Sequence, residues 1–190
     1  MEGATLEVLE ANRPALKPND EFVVSQVVAA SPTSPTTGSG EFNVVVYCQF
    51  MDFQTFASSY IRGVRLLTPV TYAAPPQPPS DEATPQETFS LLTDDKGNVT
   101  ESPQANFLFV SDSRIKLPDR RKVRPGASMD TALELAESLG IPVDEGNYGA
   151  QDVYQADEAF VSGTRYCILP VATFNGVSVG EEVPGVVTHR

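Results

Sequence analysis

The sequence holds one histidine in 190 residues, His189. A Ser-His-Asp triad or a Cys/His zinc site needs a histidine held inside the fold, so a lone one near the last residue argues against both. Cysteine is nearly as scarce. Cys48 and Cys167 stand far apart, as expected for thiols in a reducing compartment rather than a disulfide or metal cluster. No apolar run reaches 18 residues, so no membrane span is expected. The opening MEGATLEVLEANRP has neither the basic start nor the apolar stretch of a signal peptide. Positive charge is also short: 13 Lys and Arg against 25 Asp and Glu give a net charge of −12. Such a surface suits neither nucleic acid nor an anionic membrane. A cytoplasmic location is the expectation.

What is present suffices for a packed core. Hydrophobic residues make up 41% of the chain, and the length fits one ordinary domain or one and a half. LEVLEAN has helical spacing and DEFVVSQVVAA reads as a strand. SPTSPTTGSG at 31–40 is loop chemistry. FNVVVYCQF reads as a buried strand and IRGVRLLTPVTY as another. Residues 74–88, APPQPPSDEATPQET, carry five prolines, which excludes a helix or a central strand and implies a linker or exposed loop. Beyond it, FSLLTDDKGNVTES reads as strand, turn and return, and ANFLFVSDSRIKLP as a hairpin turning at Ser111-Asp112-Ser113. The clearest helix runs from Ser128 to Leu139, with Ser128 as N-cap, an apolar face of Ala132, Leu135, Ala136 and Leu139, and Gly140 as the stop. The layout is α+β and rich in sheet.

Three segments carry candidate chemistry. In GNVTESPQANFLFV (97–110), Glu101 precedes a small polar loop; on its own it could be an ordinary exposed turn glutamate. In RPGASMDTALELAESLGIPV (124–143), Ala127 and Ser128 open the helix, where free N–H groups and the helix dipole favour an anion; an ordinary cap would look the same. In DVYQADEAFVSGTRYCILPV (152–171), Ser162, Gly163 and Thr164 form a small turn between strands that could cradle an anion or merely turn the chain.

Taken together and in this order, the three segments resemble the C-terminal half of the class IV aminotransferases, the fold type IV pyridoxal phosphate enzymes that include branched-chain and D-amino-acid aminotransferases, (R)-amine transaminases and aminodeoxychorismate lyase. The resemblance implies a D-amino-acid-aminotransferase-like fold: a partial small N-terminal α/β domain at 1–73, the linker at 74–88 and a cofactor-binding domain at 89–190. It implies pyridoxal 5'-phosphate, a homodimer, and transfer of an amino group between an amino acid or amine and a 2-oxo acid. Glu101 would face the ring nitrogen and keep it protonated, so that the ring can accept electrons. Ala127, Ser128, Gly163 and Thr164 would hold the phosphate, with Ser128 keeping a hydroxyl where the family has threonine and Met129 standing where it has arginine. Arg165 and Tyr166 replace small residues on the substrate side.

The family's Schiff-base lysine has no match here. Lys96 sits in a turn five residues before Glu101; Lys17, Lys116 and Lys122 lie elsewhere. The early basic motif that grips the phosphate is also unmatched, and Arg190 falls about where a last helix would begin. A truncated or inactive descendant that binds a phosphate ligand or a partner is therefore the competing expectation.

Overall fold

The structure is a computed structural model that describes residues 2–15, 17, 21–30, 42–51, 53–69 and 86–190. Contacts divide the chain into two units, Met1–Asp52 and Phe53–Arg190.

The small unit contains helix α1 (Glu2–Asn12) and strands β1 (Phe22–Ala30) and β2 (Phe42–Phe50). The strands pair antiparallel, with Val27 opposite Val45 and Val28 opposite Val44, as β-branched runs favour. The expectation that FNVVVYCQF is buried does not hold: Val45 is 55% and Phe50 58% exposed. Helix α1 lies against the hairpin but is too small a cover for a two-stranded sheet to bury its side chains, and no described residue of this unit is buried.

The large unit opens with a short helix, α2 (Ala57–Arg62), and strand β3 (Val64–Leu67). The chain then runs through β4 (Thr88–Ser90), β5 (Glu101–Ser102), β6 (Ala105–Ser111) and β7 (Arg114–Pro118). Helix α3 (Ala127–Ser138), β8 (Val143–Gly146), helix α4 (Ala150–Tyr154), β9 (Glu158–Gly163), β10 (Cys167–Phe174) and β11 (Val177–Ser178) follow. The strands form one mixed sheet in the order β4-β3-β10-β9-β6-β7-β8, with β5 beside β6 and β11 beside β10. The β6–β7 hairpin turns through Asp112 and Ser113, at φ 55° and 58°; two left-handed residues match the twist of the flanking strands. The division of the chain differs from the expected one at 73. Strand β3, expected in the small domain, pairs parallel with both β4 and β10 and so belongs to the large sheet. The expected linker lies mostly outside the described residues. Its last residues are fixed, because Gln86 Nε2 donates to the carbonyls of Arg62 and Gly63 at 3.0 and 2.7 Å.

Alternation along the central strands fills both faces of the sheet. Phe107, Phe109, Val161 and Leu169 build one core with Val153 of α4. Leu108, Val110, Phe160 and Leu117 build the other with Met129 and Ala136 of α3. This corrects the expected face of α3. Leu135 and Leu139 are exposed, at 54% and 49%, and the buried stripe is Met129, Ala132 and Ala136. Met129 holds the start of α3 onto the sheet.

Candidate functional site

The strand register assembles the site. Glu101 lies opposite Asn106, and Asn106 opposite Ser162. Directly paired residues share a face, so these three polar side chains form a row across β5, β6 and β9. Asn106 has the same parity as Leu108 and Val110, which places the row on the face that α3 covers. All three residues are buried; Glu101 is no exposed turn glutamate.

The segment leading into α3 is tied to this row. Glu101 accepts the Arg124 backbone N–H at 2.9 Å and Arg124 Nε at 2.8 Å. Asn106 Nδ2 donates to the Arg124 carbonyl at 2.9 Å. Two residues on, a Cβ added to Gly126 would run into the Asn106 side-chain oxygen, so glycine is required there. Gly126, rather than Ser128, is the N-cap. Ser128 therefore lies inside the first turn with its hydroxyl not used as a cap. The first helical N–H with a partner in the turn is that of Asp130, bonded to the Gly126 carbonyl at 2.9 Å. The N–H groups before it form the helix's positive end. Upstream, Asp119 accepts the guanidinium and the backbone N–H of Arg121, and these bonds hold its carboxyl at about 2, below the usual value of 3.8.

Gly163 ends β9 beside this helix start. A Cβ there would approach Tyr166 Oη to 2.9 Å. Glu101, Ala127, Ser128, Gly163 and Thr164 thus come together, lining one cleft of about 250 Å³. Asn106, Arg124 and Ser162 complete its polar wall. Ser162 Oγ is buried and has no hydrogen-bond partner among the described residues. A buried unpaired hydroxyl costs free energy unless something fills its need.

Arg165 and Tyr166 are not brought into the cleft. Arg165 lies over the Phe56 ring, 5.7 Å from its centroid. Tyr166 is buried in the first core, where its carbonyl accepts the Tyr60 hydroxyl at 2.6 Å. Bulk at this turn is absorbed by packing. Burial pushes the Tyr166 phenol from 10.0 up to about 12. The folded state then keeps a proton that the unfolded chain releases near pH 10. Stability is therefore intact below about pH 10 and falls as pH rises towards 12. Thermal unfolding between pH 9 and 11.5 should show this decline, with a shallower slope in Tyr166→Phe. Equal slopes in the two proteins would contradict it.

The lysines lie elsewhere. Lys96 is exposed in the Asp94–Gly97 turn. Lys116 pairs with Asp144 at 2.8 Å, and Lys122 with Asp94 and Asn147 at 2.6 Å each. None of these three lines the cleft. Lys17 is in the small unit.

The family model for amino-transferase class IV matches residues 80–174, half of the chain. The chain belongs to the class IV aminotransferase family. Within this family it is 37% identical over 101 residues to the branched-chain-amino-acid aminotransferase of Escherichia coli K12, covering 53% of this chain and 33% of that protein. It is 32% identical over 102 residues to the putative branched-chain-amino-acid aminotransferase of Methanocaldococcus jannaschii, covering 53% of this chain and 35% of that protein. The chain spans about a third of the length of the curated relatives it matches. The structure of the E. coli branched-chain enzyme aligns with a TM-score of 0.74 and 24% identity, over 98% of this chain and 67% of that one. The branched-chain enzyme of T.th., solved with pyridoxamine 5'-phosphate, aligns with a TM-score of 0.79 and 20% identity, over 100% and 67%. The fold is that of the fold type IV enzymes.

Asn106 and Arg124 were not singled out from the sequence, and Ser162 entered only as part of the Ser162-Gly163-Thr164 turn. The alternation of ANFLFV could have pointed to Asn106, because a polar residue in phase with the buried Leu108 and Val110 needs a partner. Nothing local marks Arg124.

Proposed function

We propose that the cleft binds pyridoxal 5'-phosphate by its phosphate, as the anion-binding side of a class IV aminotransferase-type site. The observation that carries this reading is the unpartnered, buried Ser162 hydroxyl in a cleft with the start of α3 and the hydroxyls of Ser128 and Thr164. Free N–H groups, a positive helix end and three hydroxyls suit a dianion. When bound, the cofactor supplies an electron-accepting ring for moving an amino group between an amino acid or amine and a 2-oxo acid. This chain's residues hold the phosphate, and Glu101 presents a carboxylate at one wall. We also propose a homodimer in the cytoplasm. The apolar surface left exposed on β1 and β2, with Val28 at 53% and Phe50 at 58%, supports an assembly that covers it.

A second reading has its own observation: two lysines of the large unit are held in ion pairs away from the cleft and Lys96 sits in an exposed turn. On this reading the chain keeps the phosphate site and transfers no amino group. Borohydride reduction with pyridoxal phosphate, followed by peptide mapping, separates the two. The expected result is saturable binding without a stoichiometrically labelled lysine. One fully labelled lysine, above all Lys96, would return covalent chemistry to this chain. Absence of saturable binding would remove the cofactor reading itself.

A further inference from the structure

Arg124 is the cleft residue that phosphate binding leaves without a role. Its backbone is fastened from both sides, by Glu101 on its N–H and Asn106 on its carbonyl. The side chain then folds back. Nε donates to Glu101 Oε1 at 2.8 Å, and Nη2 donates to the carbonyls of Ser102 and Pro103 at 3.0 and 2.7 Å. Both carboxylate oxygens of Glu101 therefore already have a donor, one from the backbone and one from the guanidinium. The Glu101 side chain is 12% exposed and that of Arg124 62%. An enclosed carboxylate is thus neutralised by an arm reaching in from solvent.

We propose that Arg124 is a built-in competitor for Glu101, occupying the carboxylate that a ligand's protonated ring nitrogen would otherwise take. The cleft then selects its ligand by the phosphate monoester and discriminates little by the ring. The inference rests on the phosphate-binding reading above. A cationic ring nitrogen reaching Glu101 must either displace the guanidinium or share the carboxylate with it, at the cost of like-charge repulsion. A ligand without that nitrogen meets no such obstacle. The backbone N–H bond to Glu101 does not depend on the side chain, so removing the guanidinium frees one carboxylate oxygen while the entry into α3 stays tied down.

The test uses the full chain and two probes without an aldehyde: pyridoxine 5'-phosphate and benzyl phosphate, which lacks the ring nitrogen. Calorimetric titration should give the wild type similar affinities for the two. In Arg124→Gln the preference for pyridoxine phosphate should rise about tenfold, the size expected when one charge-assisted contact becomes available. Adding Glu101→Gln should abolish that gain. An unchanged preference, with both probes still bound, overturns the competitor role and leaves the phosphate reading standing. A parallel loss of both would make Arg124 part of the anion site and also overturns it. If neither probe nor inorganic phosphate binds the wild type, the phosphate reading falls and the inference with it. Should Arg124→Gln not fold, the wild type decides by the ultraviolet spectrum of bound pyridoxine phosphate across pH. Ring-nitrogen titration as in free ligand supports competition, and a ring held protonated well above its free value overturns it.

Discussion

Replacing Glu158 by alanine should destabilise the large unit by about 2–4 kcal/mol, among the larger single-residue effects expected in this fold. Glu158 opens β9 opposite Val110 and is 8% exposed. Its carboxylate accepts the Val187 N–H at 2.7 Å, the Thr188 N–H at 2.8 Å and the Thr188 hydroxyl at 2.7 Å. The segment closes on itself through the His189 N–H to the Gly185 carbonyl at 3.0 Å, so the carboxylate acts like a cap borrowed from another element. A Cβ on Gly185 would collide with the Glu158 side chain, which shows how closely the two are packed. Val187 packs on the second core. Alanine leaves three donors without their acceptor and loosens that contact. Each charge-assisted bond contributes about 1.5–3 kcal/mol, but the bonds share one carboxylate and do not add. Urea unfolding should show a lower midpoint with an unchanged slope. Glu158→Gln, which keeps the volume and one acceptor oxygen, should fall between the two. A wild-type midpoint for the alanine variant would show that Val187 alone holds the segment.

Legibility in the sequence followed the range of the forces involved. The β6–β7 hairpin and α3 could be read directly, because alternation, turn chemistry and the glycine at 140 are local signals. The face of α3 could not. Leucine at 135 and 139 outranks alanine at 132 and 136 in hydrophobicity, yet the face turned to the sheet is the one that carries Met129, Ala132 and Ala136, with Leu133 packed beside it. FNVVVYCQF reads as buried because β-branched residues favour strands whether or not a second layer covers them. Ser128 resembles a cap, and only the backbone shows that Gly126 takes that place. Glu158 hid in an acidic stretch that reads as solvated surface.

The site divides along the same line. Five of its residues follow from motifs that place glycine and hydroxyls at turns and a helix start, and these converge on one cleft. Tyr166 and Arg165 follow the same turn and were expected beside the substrate. Packing against Phe56 and Phe89 draws Tyr166 inward instead, with ring centroids 5.2 and 5.7 Å away. The Arg124–Glu101 pair spans 23 residues, and no local pattern encodes such a contact.

Removing the Ser128 and Thr164 hydroxyls together should weaken binding of a phosphate monoester further than either single change, each of which should give about tenfold. A charge-assisted hydrogen bond to a dianion is worth about 1.5–3 kcal/mol, and about 1.4 kcal/mol is a factor of ten. The two hydroxyls stand on different elements, α3 and the turn after β9, but they share one dianion, so their losses need not add and the double variant should bind about ten- to a hundredfold weaker. Stability should scarcely change. Thr164 is exposed, and because Gly126 is the cap, Ser128→Ala does not incur the ~1 kcal/mol typical of a lost N-cap. Fluorescence titration with pyridoxal phosphate, beside thermal unfolding of the same samples, reads both quantities. A double variant that binds as the wild type does would leave the hydroxyls as remnants of the fold. Weakened binding with a matching fall in melting temperature would mean that they hold the cleft together rather than the ligand. Ser162→Ala is the third arm. Its hydroxyl is unpartnered and buried, so its removal should leave the free chain as stable or more stable while weakening the complex, a combination that a purely structural serine would not produce.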